Sequence, residues 1–214
     1  MGVNMVVAID GPAGTGKSTV ASLIAKKLNI TFLNSGSFYR ALTLALLEAN
    51  VDLSNKDLVI EFCKKQNLDY VNSHLILNGV DVEHRLHEDN VSANVSPVSA
   101  IPEVRHFVND RLHEIVKSLS IVCEGRDMTT VVFPDAEYKF YLDASIDVQA
   151  QRRYNQGVSN LSLEEIKEAI IKRDELDKNK VEGSLRIAPD ATYIDTSDLT
   201  IEKVCEIIIN KIHQ

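Results

Sequence analysis

Cysteine is scarce in this sequence. Cys63, Cys123 and Cys205 are odd in number, far apart and form no C-x-x-C pair. That excludes a disulfide framework and predicts free thiols in a reducing cytosol. Long apolar runs are also missing, and nothing approaches the ~20 residues of a membrane span. Val6 to Ile9, with no basic stretch before it, is too short for a signal peptide. Met1-Gly2 lacks the Ser or Thr at position 6 that myristoylation needs. Positive charge is in deficit: 23 Lys and Arg against 31 Asp and Glu leave a net charge of -8. Non-specific binding to nucleic acid or membrane needs basic surface, so neither is expected as a partner. An anionic substrate must instead meet a local cluster of Arg and Lys. Repeats and low-complexity segments are absent. The expectation is a cytoplasmic monomer, since no sustained apolar face is left over for a dimer.

What is present is an ordinary globular composition, 44% hydrophobic and 25% charged in 214 residues. A chain this long buries roughly 70% of its unfolded surface without staples. Its organising stretch is Gly11-Pro12-Ala13-Gly14-Thr15-Gly16-Lys17-Ser18-Thr19. Gly11, Gly16, Lys17 and Ser18 fit the phosphate-binding pattern G-x-x-x-x-G-K-[ST]. The context fits too, with a short buried strand at Met5 to Ile9 before it and a helix from Ser18 to Leu28 after it. Glycines let successive N–H groups point into one concavity, and the helix N-terminus adds its partial positive charge. Lys17 is expected to reach the β- and γ-phosphates, and Ser18 to ligate Mg²⁺. The donor is then a nucleoside triphosphate such as ATP.

Further along, strands are expected at Ile30 to Leu33, Ser120 to Cys123, Tyr138 to Leu142 and Ala191 to Asp195. Helices are expected over Ser37 to Ala49, Asp57 to Gln66 (with Ser54 and Asp57 as a capping pair), Val91 to Ala100, Glu103 to Lys117, Asp147 to Asn155 and Thr200 to Ile212. Ser162 and Glu165 form a capping box opening another helix that runs to about Lys180. Between these lie Leu68 to Val71, His74 to Leu77 and Val80 to Val82, short β-like runs joined by Asn72-Ser73 and Asn78-Gly79 turns. The pattern predicts an α/β fold, a five-stranded parallel sheet between helices, with a small antiparallel sheet inserted. His84 and His87, with Glu83, Glu88 and Asp89, match no metal-site spacing and read as a solvated turn. Asp143, at the end of an apolar strand, reads as structural. Glu124 is the better candidate to stand behind the Mg²⁺ ligands.

Several arginines follow predicted strands or begin helices, on the side where α/β sheets bind ligands: Arg40, Arg105, Arg126, Arg152, Arg153 and Arg173. Arg suits multi-oxygen phosphate charge, and a kinase must neutralise phosphate on donor and acceptor alike. A regulatory GTPase would need an N-K-x-D motif. Asn55-Lys56-Asp57 and Asn179-Lys180-Val181-Glu182 both fail it.

The chain resembles the bacterial cytidylate kinases, a family of nucleoside monophosphate kinases, from the phosphate loop to the last helix. The resemblance rests on Ala8-Ile9-Asp10-Gly11-Pro12-Ala13-Gly14, Asn34-Ser35-Gly36 with Phe38-Tyr39-Arg40, and Pro102-Glu103-Val104-Arg105. It continues through Gly125-Arg126-Asp127-Met128 to Phe133-Pro134-Asp135-Ala136, Tyr141-Leu142-Asp143-Ala144-Ser145, Gln151-Arg152-Arg153 and Lys172-Arg173-Asp174. The hairpin insertion and the Gly-Arg-Asp-Met run count against other small-molecule kinases on the same scaffold, such as shikimate or dephospho-coenzyme A kinase.

The resemblance implies a P-loop NTPase fold in three layers, with a core at about 1–35 and 100–214. It also implies a monophosphate-binding insertion at about 36–99 and a mobile lid at about 154–172. It implies Arg40, Arg105 and Arg126 around the acceptor phosphate, and Ser96, Arg126 and Asp127 at the cytosine edge. Ser35 matches a monophosphate-site hydroxyl and Asp177 a ribose-contacting carboxylate. The residues expected to carry transfer from ATP to CMP or dCMP are Lys17, Arg126, Asp127, Arg152 and Arg173. Two positions depart from the family pattern. Asn34 stands where Asp is usual, and Lys180, also in the substrate set, where Arg is usual, which keeps the charge but not the bidentate fork.

Overall fold

The computed structural model describes residues 4–71, 74–157 and 161–214. The chain divides into two compact units, one made of Met1–Phe32 and Leu119–Gln214, the other of Leu33–Ser118.

The first unit carries the main sheet. Its strands are β1 (Val6–Asp10), β6 (Ile121–Gly125), β7 (Tyr138–Asp143) and β8 (Thr192–Asp195), with β2 (Thr31–Asn34) at one edge. The order is β2-β6-β1-β7-β8. β1 pairs in parallel with β6, Asp10 opposite Gly125, and with β7, Asp10 opposite Tyr141. A parallel sheet needs helices on its faces, and near-continuous apolar strands follow from that. Val7 and Ile9 of β1 pack with Val20 and Ile24 of α1 (Lys17–Leu28), and with Val204 and Ile208 of α8 (Ile201–Ile212). The next residues along β1 point to the other face. There Asp10, a carboxylate at the strand's C-terminal end, is fully buried. A small second cluster joins Ala150 of α6 (Ile146–Asn155) to Ile166 and Ile170 of α7 (Leu163–Lys178). The expected capping box opens α7: Ser162 accepts from the Glu165 amide, and Glu165 accepts from the Ser162 amide. The expected lid at 154–172 includes residues 158–160, which lie outside the described residues.

The second unit contains an antiparallel sheet, β3 (Leu68–Val71), β4 (His74–Leu77) and β5 (Val80–Asp81). Asn78 and Gly79 take φ of 50° and 82°, the left-handed pair that a two-residue hairpin turn requires. The Asn72-Ser73 turn lies outside the described residues. Around the sheet are α2 (Ser35–Glu48), α3 (Lys56–Cys63), α4 (Asp89–Ser99) and α5 (Pro102–Val116). Phe38 of α2 stacks on Tyr70 of β3, with ring centroids 6.1 Å apart. Pro102 takes the first turn of α5, where its missing N–H costs nothing.

One local reading needs correction, and a second feature has no counterpart among the sequence-based expectations. α3 is capped by Asn55, whose side chain accepts from the Leu58 amide at 3.2 Å, and not by Ser54. α3 begins at Lys56, so Asn55 and not Ser54 holds the N-cap position, and Ser54 instead donates its amide and hydroxyl to Asp52 in the preceding turn. The second concerns the segment after β6. Met128–Val132 forms a five-residue π-helical turn, which no apolar period announced.

All three cysteines are free and buried. Burial pushes the Cys63 thiol up to about 12, so it holds almost no reactive thiolate near neutral pH.

Candidate active site

The site of the first unit begins where β1 stops. At Gly11 the chain passes so close to β7 that a Cβ would stand 2.0 Å from the Leu142 carbonyl oxygen, and φ is 151°. Only glycine fits there. Gly16 then takes a left-handed φ of 87° as the N-cap of α1 and offers no side-chain cap. No acidic residue occupies the first turn of α1 either. The first N–H groups of a helix lack intrahelical partners. The helix dipole at the same point favours negative charge.

Lys17 is buried in this loop. Its ammonium donates to the Pro12 carbonyl and lies 3.5 Å from the Thr15 hydroxyl. Burial pushes its pKa down to about 7, and the nearby cations Arg126 and Arg173 push the same way. Burial likewise lowers Arg173, and Arg126 and Arg153 add to that. These cations come from α1, from the turn after β6, from the last turn of α6 and from the C-terminal half of α7. A chain of net charge -8 therefore concentrates mutually repelling positive charge around one glycine-rich loop.

Carboxylates frame the cluster. Ser18 donates its hydroxyl to Glu124 Oε1 at 2.7 Å. Asp174 Oδ1 accepts from the Ala13 amide at 3.2 Å, tying α7 to the phosphate loop. Asp177 is buried, with Arg126 Nε 2.8 Å from Oδ2 and Lys180 Nζ 2.8 Å from Oδ1. Burial raises its pKa, but the two cations outweigh that and hold it below the usual carboxylate range. Lys180 lies just beyond α7 and still completes this triad.

Arg152 and Arg153 have different partners. Arg152 donates to the Thr196 carbonyl at 2.6 Å, the Thr196 hydroxyl at 2.9 Å and the Thr15 carbonyl at 3.4 Å. It thus pins the segment after β8 to the back of the phosphate loop. Arg153 donates to the Gln156 side chain at 2.9 Å. Thr19 is exposed on the first turn of α1, and Asp127 is buried at the start of the π-helical turn.

The remaining expected residues belong to the second unit. Ser35 opens α2 and is buried. Asn34 is its N-cap and accepts from the Gly36 amide at 2.9 Å, a task that Asn and Asp perform equally well. Arg40 donates to the Leu86 carbonyl at 3.0 Å and to Ser92 of α4 at 2.8 Å. Arg105 of α5 is buried, donates to the Ser99 carbonyl at 3.2 Å and lies over the Tyr39 ring, 5.6 Å from its centroid. Ser96, half-buried on α4, gives its carbonyl to the Ser99 hydroxyl at 3.0 Å.

Sequence reasoning passed over Tyr39, Asp174, Thr196 and Asp10 as individual site residues. The signal for Asp10 was a charge ending a buried apolar strand, which needs compensating donors. Thr196 carried no such signal. No group of three or more His, Cys, Asp or Glu able to hold a metal occurs among the described residues, the His84 and His87 turn included. No helix there is long and apolar enough to cross a membrane.

A sequence model of the family described as Cytidylate kinase matches residues 7–214. Among curated proteins, the chain is 41% identical to the cytidylate kinase of Clostridioides difficile over 98% of its own length and 99% of that protein's. It is 41% identical to that of Caldanaerobacter subterraneus subsp. tengcongensis, over 97% of this chain and 94% of the relative. Among solved structures, the shikimate kinase of Bacteroides thetaiotaomicron aligns with a TM-score of 0.50 and 13% identity, covering 98% of this chain and 99% of that one. The tunicamycin resistance protein of Deinococcus radiodurans aligns with a TM-score of 0.51 and 15% identity, covering 98% and 95%. The structural likenesses are of fold alone.

Proposed function

The chain belongs to the cytidylate kinase family, and on that premise we propose that it transfers the γ-phosphate of ATP to CMP or dCMP, giving ADP and CDP or dCDP. The observation that carries this reading is the cation cluster: Lys17 and Arg173, both depressed by burial and by Arg126, gather around an uncapped helix N-terminus. A polyphosphate relieves that repulsion, and a neutral ligand does not.

Gly11 to Thr19 hold the donor phosphates. Lys17, Arg126, Arg152 and Arg173 neutralise charge on the transferring group, Arg152 after exchanging its present partners for phosphate. Ser35, Arg40, Ser96, Arg105, Arg126 and Asp127 bind the acceptor nucleotide, with Asp127 accepting from the exocyclic amine of cytosine. Asp177 and Lys180 serve the ribose end. Segment 36–99 forms the monophosphate-binding insertion on a core of 1–35 and 100–214, and 154–172 acts as the lid. A nucleoside monophosphate has its second pKa near ~6, so the attacking oxygen is already an anion and no general base is needed. Catalysis is then positioning and charge stabilisation with water excluded.

Mg²⁺ suits the Ser18–Glu124 pair. The Ser18 hydroxyl would supply a hard oxygen ligand, and the Glu124 carboxylate it donates to would add negative charge beside the ion. When bound with ATP, the ion neutralises charge on the β- and γ-phosphates. The enzyme works as a cytoplasmic monomer in pyrimidine nucleotide metabolism.

The test measures ADP formation with each nucleoside monophosphate in turn. CMP and dCMP should exceed AMP and UMP clearly in kcat/KM. Equal rates across the four would overturn the assignment.

A further inference from the structure

Asp10 stands apart from the phosphate-binding loop that follows it. It is fully buried, and both of its oxygens accept hydrogen bonds. Oδ1 accepts from the Met128 amide at 2.8 Å, and Oδ2 from the Thr129 amide at 2.7 Å and the Thr129 hydroxyl at 2.6 Å. With both oxygens engaged and the side chain sealed from solvent, the carboxylate is committed to this turn rather than turned toward a metal ion or a substrate. All three come from the first turn of the π-helix, whose leading N–H groups have no partners of their own. Asp127, the residue placed to cap that turn, makes no side-chain cap. Its carbonyl instead closes the turn by accepting from the amides of Val131 and Val132.

The same residue acts at the other end of the segment. Asp10 is the β1 partner of Gly125 in the parallel ladder. Between Gly125 and Met128 lie only Arg126 and Asp127. One residue therefore fixes both ends of the two-residue span, by its place in the sheet at Gly125 and by its carboxylate at Met128 and Thr129.

We propose that Asp10 is a positioning residue for the acceptor nucleotide, setting the directions of Arg126 and Asp127 by clamping the backbone on either side of them. This rests on the reading of Arg126 and Asp127 as acceptor-site residues, and the test separates the two.

Asp10→Asn keeps the shape but sets an NH2 group against backbone donors. Thr129→Val removes the hydroxyl donor alone. For each, KM for CMP and for Mg·ATP and kcat are measured, with thermal unfolding alongside. A hydrogen bond to a charged group is worth about tenfold or more in an equilibrium. KM for CMP should therefore rise about tenfold in Asp10→Asn and about threefold in Thr129→Val, while KM for Mg·ATP moves by less than about twofold. Equal rises in both KM values, or an unchanged KM for CMP in folded protein, overturn the clamp. If Asp10→Asn does not fold, Thr129→Val decides alone. Arg126→Ala runs beside them. An unmoved KM for CMP there defeats the acceptor-site assignment. A raised value there, with no change in the other two variants, defeats the clamp by itself.

Discussion

Arg126 forms an ion pair with the buried Asp177, Nε to Oδ2 at 2.8 Å, with Lys180 on the other carboxylate oxygen. The pair joins the turn after β6 to the end of α7. It occupies the guanidinium proposed to grip substrate, so nucleotide binding and this pairing draw on one group.

Replacing Asp177 with Asn leaves two cations facing each other without their counter-charge. Breaking one side of a buried pair costs about 3–5 kcal/mol, and we expect the lower figure, about 3 kcal/mol, because Arg126 is partly solvated. Denaturant unfolding of wild type and Asp177→Asn checks this. The native pKa of Asp177 is depressed, so its contribution is present above the unfolded-state value of 3.8. It is lost as pH falls through the lower native value. The stability difference between the two proteins should be flat above about pH 5 and shrink below about pH 4.

Lys17→Met should abolish most turnover, by about 10²–10³-fold or more in kcat, without unfolding the protein. The native pKa is lowered from 10.5 to about 7. The folded state therefore carries an unfavourable cation below pH 7 and is relieved of it progressively as pH rises toward 10.5. Wild type should gain stability relative to Lys17→Met across that window. ATP, by supplying counter-charge, should flatten the gain. Parallel thermal melts across pH, with and without nucleotide, read both effects.

Gly11→Ala should cost more than other glycine replacements, about 3 kcal/mol or beyond, because its Cβ would stand 2.0 Å from a backbone carbonyl that cannot move without breaking β7. Gly157→Ala meets nothing within 4 Å but has a φ of +64°, so only the left-handed backbone opposes it, at about 1 kcal/mol. Unfolding midpoints of the two variants compare the two costs.

Tyr39→Leu should raise KM for CMP about three- to tenfold, since the ring beneath Arg105 holds the guanidinium in place and cation–π contacts are worth about 0.5–2 kcal/mol. Tyr39→Phe keeps the ring face and should retain most of the affinity. KM for Mg·ATP should be unaffected in both.

The sequence by itself determined the elements and the donor loop. Apolar strands alternating with amphipathic helices leave a parallel sheet as the economical arrangement. The glycine spacing, the following Lys17-Ser18 and the helix after them specify an anion cradle from local chemistry alone. The turn at Asn78-Gly79 and the cap at Ser162 are legible for the same reason, since their partners lie within three residues. Only the tertiary structure decided which charges share a space. Asp10 meets Thr129 across 119 residues, and Arg126 meets Asp177 across 51. Such pairings depend on strand order and on where a helix ends, which residue periodicity does not encode. Asp10 and Asp177 are both carboxylates in the sequence. The fold meets both oxygens of one with uncharged donors and sets the other between two cations.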